Sequence, residues 1–365
     1  MHDSMTSDWR DSAAAAPGAG VDRLMYASLS SFEGPVFAEM HRIRDHALQR
    51  NVADEVHVAL LHQSGWFVEW MEGPPAGVHA VMGRVTRDAR HRGLQLLHSS
   101  GGPRRLTEPW SMAIVQTRER PTDFAHRVMT LREEHRKGLV PDPATVWRRL
   151  STPLTHPGAA EQAVSDRFQR VMVCSAQGAD SFDMVRWLGQ RHDAEVVHRR
   201  FAGSRADGLD VATDYVDLDS GTVVRRVIAM ARNGLHIGLT QAFLSDYSHV
   251  ILLLSGDGTR DGNLMQRLVA ACVRLAHRPV VVGLGPLPCD HATLQQTARR
   301  GGLVYLDCDL AGRLDAPAWW DAAEPLLDLS LAPSFDSMPL PGADGGTPVG
   351  SFSQGPAAKS PGPPC

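Results

Sequence analysis

Between residues 21 and 117 the chain alternates short apolar runs with amphipathic ones. "DRLMYASLS" (22–30) reads as a strand that breaks at Ser and Gly. Pro35 then opens "PVFAEMHRIRDHALQRN", where Val36, Met40, Ile43 and Ala47 recur at helical spacing. "EVHVALLHQSGWFVEWMEG" (55–73) reads as two strands joined by the tight "QSG" turn. "PPAGVHAVMGRVTRDARHRG" predicts a second helix running from Pro75 to its end at Gly93, and "LQLLHSSG" and "WSMAIVQT" predict two more strands. The order β-α-β-β-α-β-β suits a ferredoxin-like sheet with both helices on one face. Within "GWFVEWMEGP", Phe67, Glu69 and Met71 share one strand face, and Trp66, Val68 and Trp70 share the other. Neither face reads as solvated, so the pattern places a carboxylate, Glu69, inside a sheet.

Residues 118–165 are charged and helical with proline breaks, and read as a linker that packs on the first domain. From 166 to 332 a second pattern follows. "RVMVCSA", "TVVRRVIAMA", "HVILLLSG", "RPVVVGLG" and "GLVYLDC" are short β-branched runs separated by helix-length segments, which predicts a largely parallel sheet. After Ser337 the chain holds seven of its 24 prolines, with Gly and Ser, so residues 333–365 read as a disordered tail, and residues 1–20 as a disordered lead-in. The expected fold class is α/β, made of an α+β ferredoxin-like N-terminal domain (21–117) and an α/β, mostly parallel C-terminal domain (166–332).

Composition narrows the function classes. A chain of 365 residues with 43% hydrophobic and 21% charged content has material for two ordinary domains. A formal charge of −4 gives no basic surface for nucleic acid, and no apolar run is long enough for a bilayer. The five cysteines form no CxxC pair and the histidines are scattered, so a cytoplasmic protein with reduced thiols and no metal site is expected.

Five collinear pieces of the first domain carry a resemblance: "RLMYAS", Asn51 at the helix end, "GWFVEWMEGP", "VMGRVTRDARHRGLQLL" and "RRLTEPWSM". Residues 21–117 resemble a BLUF domain, the flavin-binding blue-light sensor module. The resemblance implies FAD as cofactor, with its ring lying between the two helices. It places Tyr26 as the phenol that hydrogen-bonds a Gln on the third strand, with light driving electron transfer from the Tyr and rearrangement of the Gln amide. It further implies that Asn51 holds the flavin's polar edge beside Arg50, and that Trp110 and Met112 relay the switch. Taken singly, Tyr26, Asn51, Trp110 and Met112 would read as a core tyrosine, a helix cap and core filler. Their joint placement is what points to a site.

The Gln position is occupied by Glu69. An ionised carboxylate only accepts hydrogen bonds, as do flavin N5 and O4. Three outcomes stand open at this stage. Glu69 is held neutral by burial and donates; or it pairs with Arg50, Arg104 or another base; or the pocket is empty. Val58, in "DEVHVALL", stands where the family has a glycine, and its side chain could crowd the cofactor or the strand crossing.

In the C-terminal domain "CSAQGADSF" takes the place of a phosphate loop but lacks its lysine, and Asp180 would repel phosphate there. The strand pattern is similar to small Ras-like GTPases of the gliding-motility type, with Gly234 at the switch glycine and Leu235 where a glutamine would orient water. That resemblance implies a GTPase-like fold without nucleotide chemistry. A cobalamin-binding-like domain is the rival, although "CDHATL" lacks its glycine. The sequence therefore leads to the expectation of a non-catalytic BLUF-type signalling protein with altered photochemistry. It would act on an unidentified protein partner, with a homodimer also in view. The alternative is a flavin-free interaction scaffold.

Overall fold

The structure is a computed structural model and describes residues 20–32, 34–152, 168–221, 223–275 and 277–329. The expected tail, and the expected lead-in apart from Gly20, lie outside the described residues. The N-terminal strands are β1 (Val21–Ser30), β2 (His57–Gln63), β3 (Trp66–Gly73), β4 (His91–Gly102) and β5 (Trp110–Gln116), with helices α1 (Val36–Ala53) and α2 (Pro75–Val85). Helices α3 (Pro121–Arg136) and α4 (Pro143–Ser151) follow. The C-terminal strands are β6 (Phe168–Ser175), β7 (Val197–Gly203), β8 (Val211–Asp219), β9 (Val224–Met230), β10 (His249–Leu253), β11 (Val280–Pro286) and β12 (Tyr305–Leu310). They are interleaved with α5 (Asp180–Arg191), α6 (Gly238–Phe243), α7 (Gly258–Cys272), α8 (His291–Arg300) and α9 (Ala316–Leu329).

All twelve strands form one sheet, in the order β12-β11-β10-β6-β9-β8-β7-β5-β2-β3-β1-β4. The junction is the antiparallel pairing of β5 with β7, from Ser111 opposite Gly203 to Gln116 opposite His198. Sequence reading gave two separate sheets because it passed over β7. In "VHRRFAG" the inward positions are Val197, Arg199 and Phe201, and a buried arginine interrupts the apolar alternation that marks a strand. The predicted helix ending at Gly93 stops instead at Val85. Thr86–Arg90 turn around Asp88, which accepts from the backbone N–H and guanidinium of Arg90, and β4 begins at His91.

Both faces of β3 are covered, which accounts for its unbroken apolar pattern. On one face Leu24, Tyr26, Leu60, Phe67, Met71 and Met112 pack beneath α1 and α2. On the other, Trp66, Val68 and Trp70 meet Phe124, Val128 and Leu131 of α3 and Trp147 and Leu150 of α4. The segment expected as a linker thus roofs the reverse face of the first domain. That same core runs on to Val197, Phe201, Tyr215 and Ile228, so the two domains share it.

Asp217 and Arg226 are register partners on β8 and β9, joined by two hydrogen bonds of 2.7 Å, with side chains 1% and 2% exposed. Removing one partner leaves a buried charge uncompensated. Asp217→Ala is expected to destabilise the protein by about 3–5 kcal/mol, read from the urea unfolding midpoint.

Candidate functional site

The register of four adjacent strands assembles the site. Tyr26 on β1 lies opposite Glu69 on β3, Glu69 opposite Leu60 on β2, and Leu60 opposite Met112 on β5. Register partners share a face, so these side chains form one row across the sheet beneath α1 and α2. The row continues to Ala202 of β7, opposite Met112.

The Tyr26 hydroxyl donates to Glu69 Oε2 in a short, buried hydrogen bond. Burial pushes the Glu69 carboxyl up to about 7, against the lowering effects of the Tyr26 hydrogen bond and of Arg84. The phenol is held well above its usual range by burial and by the neighbouring carboxylate, so it stays protonated. Of the partners considered for this acid, the structure gives it Tyr26 and no ion pair among the described residues. Glu69 is partnered by Tyr26, and near neutral pH it carries a proton for a substantial part of the time. Its expected ion-pair partners lie elsewhere. Arg104 donates to the backbone carbonyls of Glu72 and Glu55, and Arg50 is exposed at the end of α1. Arg50 is therefore not among the side chains gathered here, a correction to the sequence reading.

Asn51, by contrast, is buried in the last turn of α1. Its Oδ1 accepts from Arg84 Nη2 at 3.3 Å, and the same nitrogen donates to Asp54 at 2.7 Å. Arg84 thus ties α2 to the end of α1. Trp110 and Met112 are each 1% exposed in the same apolar cluster as Tyr26, and the Trp110 indole N–H is buried without an acceptor. Val58 is fully buried between its register partners Met71 and Trp110.

Two features escaped the sequence reading. His91 packs edge-on to Tyr26 at 5.9 Å between ring centroids and against Phe67 at 4.8 Å, while its Nδ1 hydrogen-bonds Ser28 Oγ at 2.8 Å. Burial pushes His91 and the nearby His62 down to about 4, so this wall is neutral. Arg84 is the second feature. The signal for both was "GRVTRDARH", a polar run placed wholly inside a helix that in fact ends within it, at Val85.

In the C-terminal half, the loop after β6 turns at Gly178 with φ of 65°, and Ser175 Oγ donates to Gln177 O and to Asp180 Oδ2. Asp180 thus turns its carboxylate back into its own loop. Leu235 is wholly buried, so it presents nothing to water.

Residues 21–113 match the family "BLUF: Sensors of blue-light using FAD", and this segment is a BLUF domain. No curated protein matches the chain. Among solved structures, the photo-activated state of BlsA is 19% identical, with 38% of this chain and 99% of that one covered and a TM-score of 0.27. BlrB in its dark state is 21% identical over 36% of this chain and 95% of its own, with a TM-score of 0.26. A bacterial light-regulated adenylyl cyclase is 12% identical over 57% and 77%, with a TM-score of 0.25.

The family's chromophore is FAD, and the donor set here suits it. With Oε2 accepting from Tyr26, neutral Glu69 presents an O–H at Oε1, the same acceptor-plus-donor layout as an amide. The orphaned Trp110 N–H supplies a further donor in the same cluster.

The proton on Glu69 has a thermodynamic signature. Its folded pKa of about 7 lies above the model-peptide 4.5, so the folded state holds more protons between those values. Stability then falls as pH rises through that window, by up to about 3 kcal/mol. The difference in unfolding free energy between wild type and Glu69→Gln, measured without added flavin from pH 4 to 8, is expected to show this slope. A flat difference would refute the raised pKa.

Proposed function

We propose that the chain is a flavin-dependent blue-light sensor whose response is gated by the proton on Glu69. The buried Tyr26–Glu69 hydrogen bond carries this reading. Bound FAD supplies the light-absorbing, electron-accepting ring. Tyr26 supplies the oxidisable phenol and the hydrogen bond that orients Glu69. Neutral Glu69 can exchange the roles of its two oxygens, donor for acceptor, as a rotating amide would. Ionised Glu69 has no proton to exchange, and is left buried beside acceptors.

Output by contact, without turnover, is the second part of the proposal. The backbone N–H of Trp110 donates to Ser204 Oγ at 3.1 Å, and that hydroxyl donates back to the Trp110 backbone carbonyl at 3.0 Å. Arg44 of α1 donates to the carbonyls of Gly203 and Ser204 at 3.3 and 3.1 Å. A rearrangement at Tyr26 and Glu69 therefore has a route through Met112 and Trp110 into the start of the β7–β8 connection. The strand order β12-β11-β10-β6-β9-β8, parallel except at β8, supports a Ras-like reading of the output region. Asp180 and the missing lysine favour a surface for a protein partner over nucleotide chemistry.

Reconstitution with FAD followed by difference spectroscopy before and after blue light tests the sensor. A light-induced red shift is expected below about pH 7 and should fade above it, following the Glu69 proton. Glu69→Gln should make the shift independent of pH, and Tyr26→Phe should abolish it in both backgrounds. A protein that takes up no FAD would sink the sensor reading in favour of a scaffold.

The output route has its own test. Ser204→Ala should leave the spectral shift intact while reducing light-dependent change in amide hydrogen exchange across β7. Equal change in the variant would remove Ser204 from the route.

A further inference from the structure

Behind β5, on the face away from Tyr26, lies a cavity of ≈ 70 Å³ at the seam of the two domains. Four guanidinium groups, from Arg148, Arg170, Arg199 and Arg226, reach it. Two are neutralised: Arg148 by Asp246 and Arg226 by Asp217. The other two form no ion pair among the described residues. Arg199 is 9% exposed, its Nη2 donates weakly to Thr213 Oγ1 at 3.4 Å, and its Nε has no acceptor. Asp214, an acid whose charge reaches Arg199, instead hydrogen-bonds His198 at 2.9 Å. Arg170 lies over the Phe168 ring at 4.4 Å. Thr240, 4% exposed, contributes a hydroxyl that also lacks a partner.

Uncompensated buried guanidinium groups cost folding free energy unless an anion meets them. Much of the rest of the lining is apolar, with Val115, Ile228, Leu239 and Phe243 among it; Ser151, Thr152 and Tyr247 add hydroxyls, and the one lining carboxylate, Asp246, is paired with Arg148. We propose that this cavity binds a small organic carboxylate, its oxygens on Arg170, Arg199 and Thr240 and its hydrocarbon part against the apolar wall. A guanidinium fork matches a planar carboxylate, and the apolar wall disfavours a fully hydrated inorganic anion. The space is about half the roughly 150 Å³ that accommodates a benzene ring, which points to a chain of a few carbons and excludes a nucleotide. Burial holds Arg170 down to about 10, still charged at neutral pH and so able to bind an anion. The site sits on Ala113 and Val115, whose strand neighbours Met112 and Ile114 face the Tyr26 side. A ligand here therefore touches the reverse of the strand proposed to carry the light signal.

The test is titration of the full-length protein with propionate, followed by ligand-observed NMR and by the thermal midpoint. Saturable binding is expected, and it should weaken at least about tenfold in Arg170→Met and measurably in Thr240→Val. Arg313→Ala, which removes a surface arginine that is 91% exposed, should leave it unchanged. Arg170 and Thr240 are chosen because Arg199→Met would risk the fold. Absence of saturable binding by wild type would overturn the proposal. So would binding indifferent to both cavity variants, or equal binding of chloride or inorganic phosphate.

Discussion

The structure depends on one pairing, that of β5 with β7. β5 already gives its other edge to β2 in parallel register, so both edges of the strand are saturated and both of its faces are buried. A strand held in this way cannot shift without disturbing the backbone ladder on each side. The rows above and below it are likewise fixed: Met112 beside Leu60 and Ala202 on one face, Ala113 and Val115 within the shared core on the other. The ferredoxin-like sheet and the mostly parallel sheet are covalently linked through α3, α4 and residues 153–167. Their mechanical union, however, is made by this ladder and by the core that α3 and α4 roof. Without β7 the first domain would present β5 as an open edge, with its N–H and C=O groups seeking a partner.

Desolvation governs the other end of the same row. Glu69 is tolerated in the core because it need not be charged there. Its nearest cation, Arg84, is engaged with Asn51 and Asp54, and the histidines around Tyr26 are neutral. With little to stabilise a negative charge, the neutral acid is the cheaper species up to about neutral pH. A glutamine in this position would have no such dependence on protons. The substitution therefore adds a variable to the site rather than merely removing a function, since the acid shares the amide's donor and acceptor pattern only while protonated.

Much of this was legible in the sequence. Alternating faces in "GWFVEWMEGP" placed Glu69 inside the sheet, and helix spacing located α1 to within two residues. Tyr26, Asn51, Trp110 and Met112 followed from collinear pieces; the structure buries all four, with Tyr26, Trp110 and Met112 in one cluster and Asn51 against Arg84. What stayed hidden has a common cause, in charged residues taken out of water by long-range contacts. Arg199 obscured β7, Arg226 finds its partner only across the β8–β9 ladder, and "TRDARH" reads as a polar helical face until Asp88 closes the turn. Burial of an arginine is decided by what lies opposite in the sheet, and periodicity along one strand carries no record of that. Arg50 failed in the opposite sense. Adjacent in sequence to Asn51, it is exposed where Asn51 is buried, because successive helical residues are turned by about a hundred degrees.

The same physics links the two halves more closely than their chain order. Each half has a carboxylate held within it: Glu69 under α1 and α2, Asp180 at the start of α5. Their surroundings separate them. Glu69 is sealed from water, so its protonation follows pH and its hydrogen bonding can change with the state of Tyr26. Asp180 is less buried and hydrogen-bonded to Ser175, and so closes its own loop. Between the halves lies unmatched positive charge, at Arg170 and Arg199. An anion held there would stiffen the seam formed by β5, α4 and α6. Stiffening that seam must alter the free energy of any rearrangement passing through β5, and by linkage that rearrangement must alter the affinity for the anion to the same extent.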